Sequence, residues 1–86
     1  MPRISEFYGI AIYLYYRDHL PPHFHAIYGQ YEASVAIDSG AVIDGYLPSR
    51  ALALVRDWSA RYRVELRDDW ELARSHQPLR PVPPLV

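Results

Sequence analysis

The fold is decided by the stretch HFHAIYGQYEASVAID, which runs from His23 to Asp38. Side chains alternate across a β-strand, so two segments of this stretch, His23–Tyr28 and Tyr31–Asp38, each place every second residue on one face. Gly29-Gln30 separates the two segments and puts a glycine in the first central position of a two-residue hairpin turn. The stretch therefore predicts two antiparallel strands joined by a tight turn.

Strand signals continue on both sides of this hairpin. Phe7–Tyr16 is rich in aromatic and β-branched residues and carries no charge, which is typical of a strand buried on both faces. On the other side, Ser39-Gly40 offers a turn into a further strand over Ala41–Leu47. The sequence thus predicts a four-stranded, mostly antiparallel β-meander.

A helical segment follows the predicted sheet. Pro48 suits the first helical position because its missing N–H would be unpaired there, and no Gly or Pro then occurs until Pro78. Apolar residues recur at spacings of three and four, at Ala51, Leu54, Val55, Trp58, Tyr62, Leu66, Trp70 and Ala73. One helix over this segment would be about 42 Å long, too long for a domain whose radius of gyration should be about 12 Å. We therefore expect a break within Arg61–Val64 and an α+β fold, with two helices packed on the sheet.

The chain is predicted to form one α+β domain over residues 1–76, followed by a Pro-rich extended tail over residues 77–86. The tail holds four of the eight prolines of this 86-residue chain, so it cannot be helical. An extended polyproline conformation is expected. The sequence leaves open whether the tail frays or lies against a partner.

Composition excludes several classes of function. The chain has no cysteine, which rules out disulfides, thiolate zinc sites and a cysteine nucleophile. Its net charge is −1, and all nine basic residues are dispersed arginines, so no broad basic face for nucleic acid is indicated. No apolar run approaches the ~20 residues that span a bilayer, and no signal peptide is recognisable. We expect a cytoplasmic protein without a membrane partner.

Tyrosine content points to a protein partner. Eight tyrosines are more than the core of so small a domain can bury, and exposed tyrosines are enriched at interfaces. An open edge strand of the meander would add unpaired backbone groups that another chain can satisfy. We therefore expect a homo-oligomer or a complex with a second protein.

Three of the four histidines, His19, His23 and His25, lie within seven residues beside Pro21-Pro22. Alternation along the strand puts His23 and His25 on the same face. The proline step restricts the backbone that carries His19. Histidine is the commonest metal ligand and the side chain that titrates nearest to neutral pH, so this grouping marks the candidate functional site.

Two chemistries are compatible with this grouping. In one, zinc binds through His19, His23 and His25 and keeps an open position at which water is activated. In the other, no cofactor is needed, because one imidazole takes a proton while another donates one. Asp18 or Glu32 would then orient a ring, which makes both carboxylates catalytic candidates together with the three histidines. A structural role as polar residues on a solvent-facing strand is the remaining reading.

Aromatic side chains near the histidines suggest a substrate. Tyr28 and Tyr31 flank the hairpin turn and could stack on bases, and cleavage of a phosphodiester in RNA is one reaction that a pair of histidines performs. Such stacking is tolerant of sequence. Both tyrosines are therefore candidate substrate-binding residues.

Four parts of the chain together match a known family: Pro2–Ile10, Asp18–His25, Tyr28-Gly29 with Tyr31–Ala33, and Leu47-Pro48. In these parts the chain resembles the small bacterial domain-of-unknown-function family 4160, DUF4160. The likeness extends over essentially the whole chain, and the motif PPHFH is its most specific part. Members of that family are commonly encoded beside a member of the unknown-function family DUF2442. The resemblance therefore implies the toxin-like half of a toxin–antitoxin pair, but it assigns no catalytic residue.

We therefore expect the toxin component of a bacterial two-gene module, which acts through its His-rich loop and strand on RNA or another phosphoester and binds a small antitoxin-like protein. The sequence leaves two alternatives open. One is a His- or metal-dependent hydrolase without a toxin role. The other is a non-catalytic protein-interaction module.

Overall fold

The computed structural model describes residues 2–16 and 18–86 and contains one antiparallel sheet followed by two helices. The strands are β1 (Arg3–Phe7), β2 (Ile10–Tyr13), β3 (His23–Tyr28), β4 (Tyr31–Ala36) and β5 (Val42–Gly45). They lie in the sheet in the same order as in the chain, and each pairs with the next. The sheet is therefore a five-stranded meander with β1 and β5 at its edges.

The helical segment is divided as the sequence predicts. Helix α1 spans Ser49–Arg61 and helix α2 spans Arg63–Arg74, with Tyr62 between them. The α+β class and the presence of two helices are thus confirmed. Among the described residues, no helix is both long and apolar enough to cross a membrane.

The predicted number of four strands is wrong, because Phe7–Tyr16 contains a turn. Tyr8 has φ +50° and Gly9 has φ +79°, and positive φ at both central residues is the geometry of a two-residue hairpin loop. Phe7 and Ile10 pair directly across this turn. A non-glycine residue such as Tyr8 rarely adopts positive φ, so the uncharged aromatic run resembled one continuous strand.

The β3–β4 hairpin has the predicted turn, and its alternation divides the two faces of the sheet. Tyr28 pairs with Tyr31 across Gly29-Gln30. Phe24 alternates with His23 and His25 along β3, and its ring lies 5.6 Å from the fully buried ring of Trp58 in α1. Helix α1 therefore covers this face, whereas His23 and His25 belong to the other face.

Gly45 allows the backbone of β5 to approach β4 closely. It has φ +80°, and a Cβ atom at this position would overlap the carbonyl oxygen of Glu32. The same carbonyl accepts a hydrogen bond from the N–H of Tyr46 at 3.0 Å. Glycine is therefore required at the end of β5, where the backbone passes close to Glu32 of β4.

The Pro-rich tail packs against the rest of the chain instead of fraying. The N–H of Val82 donates to the carbonyl of Ile4 in edge strand β1, and Trp58 Nε1 donates to the carbonyl of Pro83, both at 2.8 Å. Val82 and Leu85 are buried in the core. The tail thus covers part of the β1 edge and helps to enclose a core that is small for an independent domain.

A buried carboxyl group joins the tail to α2. Asp69 is 1% exposed, and its Oδ1 accepts a hydrogen bond of 2.8 Å from the N–H of Arg80. Its Oδ2 has no hydrogen-bond partner among the described residues. Burial raises the pKa of Asp69, although the hydrogen bond and the charge of Arg80 act in the opposite direction.

This raised pKa predicts a pH-dependent cost to stability. The folded protein holds the Asp69 proton more tightly than the unfolded chain does, and this tighter binding contributes to the free energy of unfolding. The contribution is fully present below the ordinary pKa of an aspartic acid and is lost as the pH rises through the raised pKa. Asp69→Asn keeps an oxygen acceptor but carries no charge. We expect it to gain stability relative to the parent as the pH rises above about 4, the ordinary pKa of an aspartic acid, by about 1.4 kcal/mol for each unit of pKa difference.

Urea unfolding across this pH range measures the effect. Glu71→Gln is the matched control, because its side chain is exposed on the same helix and its charge is not among the causes of the Asp69 shift. It should change stability much less over the same range. A difference between Asp69→Asn and the parent that does not vary with pH would contradict the assignment.

Candidate functional site

Asp18, His23 and His25 converge at one point, and we refer to these three residues as the Asp18 cluster. Asp18 Oδ2 lies 2.8 Å from His25 Nε2 and 3.0 Å from His23 Nε2. Alternation along β3 brings the two histidines to one face, where their ring centroids are 5.0 Å apart. Asp18 lies in the segment between β2 and β3, which Pro21-Pro22 restricts. One ligand atom from each of the three residues lies within 4.8 Å of the other two.

His23 is completely buried, with its ring 5.5 Å from that of Trp70 in α2. Its Nδ1 is 2.8 Å from the carbonyl oxygen of Pro21. A carbonyl can only accept a hydrogen bond, so Nδ1 carries a proton and the neutral ring has its lone pair at Nε2. Although Nε2 is close to Asp18 Oδ2, it has no hydrogen-bond partner among the described residues.

The ring of His25 is held from several sides and remains partly accessible. Its Nε2–H donates to Asp18 at 2.8 Å, and its Nδ1 lies 3.2 Å from Ser34 Oγ and 3.7 Å from Glu32 Oε2. The ring of Tyr15 packs against it, with the centroids 4.3 Å apart. The Ser34 hydroxyl can donate or accept, so it can serve as a hydrogen-bond partner of His25 Nδ1 whether or not that nitrogen carries a proton.

Asp18 is held as a carboxylate by its neighbours. Burial acts to raise its pKa, but the hydrogen bond from His25, the backbone N–H of His19 and the positive charge that His23 and His25 carry when they are protonated outweigh burial. The pKa of Asp18 therefore lies below its ordinary value. The backbone N–H of His19 donates to Oδ1 at 2.9 Å, which leaves Oδ2 to face the two imidazoles.

The structure brings the five predicted catalytic candidates together. His19 lies at the rim, with its side chain 76% exposed and its Nε2 3.8 Å from Asp18 Oδ1. Glu32 is also at the surface, beside His25. The predicted zinc ligands were His19, His23 and His25, whereas Asp18 is the residue that completes the tight group with His23 and His25.

The two tyrosines predicted to bind substrate lie elsewhere. Tyr28 and Tyr31 occupy the alternate positions of β3 and β4, three residues along each strand from the paired His25 and Ser34. Tyr28 lines a separate groove of about 390 Å³ together with Tyr8 and Arg50. Base stacking on Tyr28 or Tyr31 would therefore take place away from the Asp18 cluster.

Two neighbours of His25 were not predicted, and they differ in how predictable they were. Ser34 is the direct register partner of His25, so the Gly29-Gln30 turn alone was sufficient to find it. Tyr15 follows the end of β2, where no pattern in the sequence indicates which residue contacts β3.

Beside His25, a groove of about 200 Å³ is lined by Glu32, Ala33, Ser34, Asp44 and Gly45. The partly exposed imidazole is thus accessible to a small group.

The family model for the domain of unknown function DUF4160 matches residues 9–71, which include the whole Asp18 cluster. The chain belongs to the DUF4160 family. The resemblance to DUF4160 that the sequence motifs indicate is thereby confirmed over residues 9–71. No curated protein and no solved structure matches this DUF4160 chain.

The hydrogen bonds predict opposite tautomers for His23 and His25 of this DUF4160 protein. His23 should carry a proton at Nδ1 in every state, because the carbonyl of Pro21 can only accept. Neutral His25 in metal-free protein should carry its proton at Nε2, which faces Asp18. Long-range ¹H–¹⁵N correlation spectra of labelled histidine distinguish the two, with His23→Gln and His25→Gln assigning the signals. A His23 ring protonated only at Nε2 would contradict this geometry.

Proposed function

We propose that this DUF4160 protein is the toxin-like half of a bacterial two-protein module and that it cleaves a phosphoester, with RNA as the expected substrate. The Asp18 cluster is its proposed active site. The observation that carries the proposal is the single carboxylate that contacts two imidazoles, one of which borders an accessible groove. A carboxylate with a perturbed pKa beside imidazoles in a cleft is typical of acid–base sites.

His25 is the proposed proton acceptor. Its Nε2–H is bound to Asp18, so the lone pair of the neutral ring is at Nδ1, beside the groove. There it takes the proton of a ribose 2′-hydroxyl as O2′ bonds to phosphorus, and the bond from phosphorus to the 5′ oxygen breaks. Asp18 stabilises the imidazolium that results. His19, the exposed imidazole at the rim, returns a proton to the departing 5′ oxygen.

The groove beside His25 suits a base better than a phosphate. Glu32 and Asp44 are both exposed on its wall. Carboxylates repel phosphate but accept hydrogen bonds from the exocyclic amino groups of bases. In this proposal, a base with an amino group occupies the groove, and the phosphate lies toward the His19 rim.

A second protein is proposed to bind the turn end of the sheet. Tyr8 and Tyr46 are 61% and 63% exposed there, and the rings of Tyr31 and Tyr46 lie 5.7 Å apart. Exposed aromatic side chains of this kind are enriched in protein interfaces. We expect the partner to be an antitoxin-like protein of the DUF2442 family and the module to act in the cytoplasm.

Growth of bacteria that express the protein tests the proposal. Expression alone should slow growth, and coexpression of a DUF2442 protein as the proposed antitoxin-like partner should restore it. His25→Gln should relieve the growth defect and reduce cleavage of RNA by purified protein about 10²- to 10⁴-fold, the contribution of a general base.

His76→Gln is the matched control, because it makes the same exchange outside the Asp18 cluster, and it should remain harmful. Circular dichroism must show that each variant is folded. Growth inhibition that persists unchanged in folded His25→Gln, or a parent protein that neither slows growth nor cleaves RNA, would reject the proposed function.

A further inference from the structure

The Asp18 cluster also has the arrangement of a metal site. We infer that it binds one zinc ion through a carboxylate oxygen of Asp18 and the Nε2 atoms of His23 and His25. This inference deepens the proposed function. It rests on that function only for the catalytic role of the metal. The binding itself is argued from the contacts of the three side chains.

The strongest observation is the buried Nε2 atom of His23. The proton on Nδ1 is fixed by the carbonyl of Pro21, so Nε2 of the neutral ring presents a lone pair to Asp18 Oδ2 at 3.0 Å. Both atoms are then hydrogen-bond acceptors, and Nε2 has no partner among the described residues. Two acceptors this close, in a position shielded from water, repel each other unless a cation or a proton lies between them.

His25 can supply a second nitrogen without losing its other contacts. Ser34 Oγ is 3.2 Å from Nδ1 and can accept from it, which frees Nε2 to bind a metal. Glu32 Oε2 lies 3.7 Å from the same Nδ1. A hydroxyl or a carboxylate on the remote nitrogen of a ligating histidine is the usual support of a metal-bound imidazole, and it orients the ring and raises its basicity.

The spacing and the chemistry of the donors favour zinc. Donor atoms about 2.0–2.1 Å from a tetrahedral zinc ion are about 3.3–3.4 Å apart. Asp18 Oδ2 lies 2.8 Å and 3.0 Å from the two nitrogens, and the three donor atoms span up to 4.8 Å. To admit the ion, the carboxylate oxygen must therefore move away from the nitrogens by about half an ångström and the two imidazole nitrogens must move closer to each other. Two imidazoles and one carboxylate form a ligand set of catalytic zinc sites. Mg²⁺ and Ca²⁺ prefer oxygen ligands and should bind poorly.

The site is closed on one side and open on the other. His23 is fully buried against Trp70, whereas the side chains of Asp18 and His25 are 14% and 13% exposed. The open side leaves a position for water, and zinc lowers the pKa of bound water to about 7. With zinc bound, His25 is a ligand, and the zinc-bound hydroxide takes over its role as proton acceptor.

Calorimetric titration of chelator-stripped protein with zinc chloride tests the inference. We expect one zinc ion per chain, and no comparable binding of magnesium. Asp18→Asn, His23→Gln and His25→Gln should each weaken zinc binding by more than about 100-fold, because the loss of a ligand exceeds the 10- to 100-fold effect of an outer partner. X-ray absorption at the zinc edge should show nitrogen and oxygen neighbours only.

His19→Gln is the matched control, because its imidazole lies at the rim of the same site, and it should weaken binding less than about tenfold. Since His23→Gln can disturb the core, Asp18→Asn and His25→Gln decide the question if it unfolds. Absence of zinc binding by the parent overturns the inference, as does binding that survives in both folded variants.

The zinc inference and the proposed function fail in different ways. Growth inhibition that depends on His25 in a protein that binds no zinc removes the zinc site and leaves the proposed function. Zinc bound by the Asp18 cluster in a protein that neither slows growth nor cleaves RNA supports the zinc site and rejects the proposed function.

Discussion

The carboxylate of Asp18 is the group on which the geometry of the site depends. One of its oxygens accepts the backbone N–H of His19 at 2.9 Å, and the other lies against both imidazoles of β3. These contacts hold the segment between β2 and β3 against the face of the sheet on which His23 and His25 lie. Without the carboxylate, the Nε2 atoms of His23 and His25 would have no anionic neighbour among the described contacts.

The sheet separates the tasks of stability and chemistry. Alternate residues of β3 enter the core beneath α1, where Phe24 packs on Trp58, while His23 and His25 face the other side. At His23 the two tasks overlap, because Trp70 of α2 buries this ring. A buried polar atom without a hydrogen bond costs about 1–3 kcal/mol. Buried polar atoms without a partner are expected at functional sites, so the Nε2 atom of His23 is the main observation behind the zinc inference.

The parts of the fold that follow from local pattern could be predicted from the sequence. A period of two and the turn at Gly29-Gln30 were sufficient for the β3–β4 hairpin, and the length of the helical segment was sufficient to expect its break. The turn at Tyr8-Gly9 was missed because it depends on a tyrosine with positive φ. The path of the tail depends on long-range hydrogen bonds to Ile4 and Trp58, which no local pattern encodes.

The site was predictable to a similar degree. His23 and His25 are two residues apart on β3, which predicted that they lie on the same face. The register of the β3–β4 hairpin pairs His25 with Ser34. Which residue of the preceding segment approaches them depends on how that segment bends, so the sequence could not rank His19 against Asp18. The contact with Trp70 requires the packing of α2, which is separated from β3 by 34 residues of chain.

A double-mutant cycle between Asp18 and His25 tests the central claim that these side chains form one interacting unit. The free energy of unfolding is measured in chelator for the parent, Asp18→Ala, His25→Ala and the double variant. The account predicts a coupling energy of about 1–3 kcal/mol, as for contacting groups in one charged network. A coupling energy indistinguishable from zero would show that the two side chains act independently and would contradict the account.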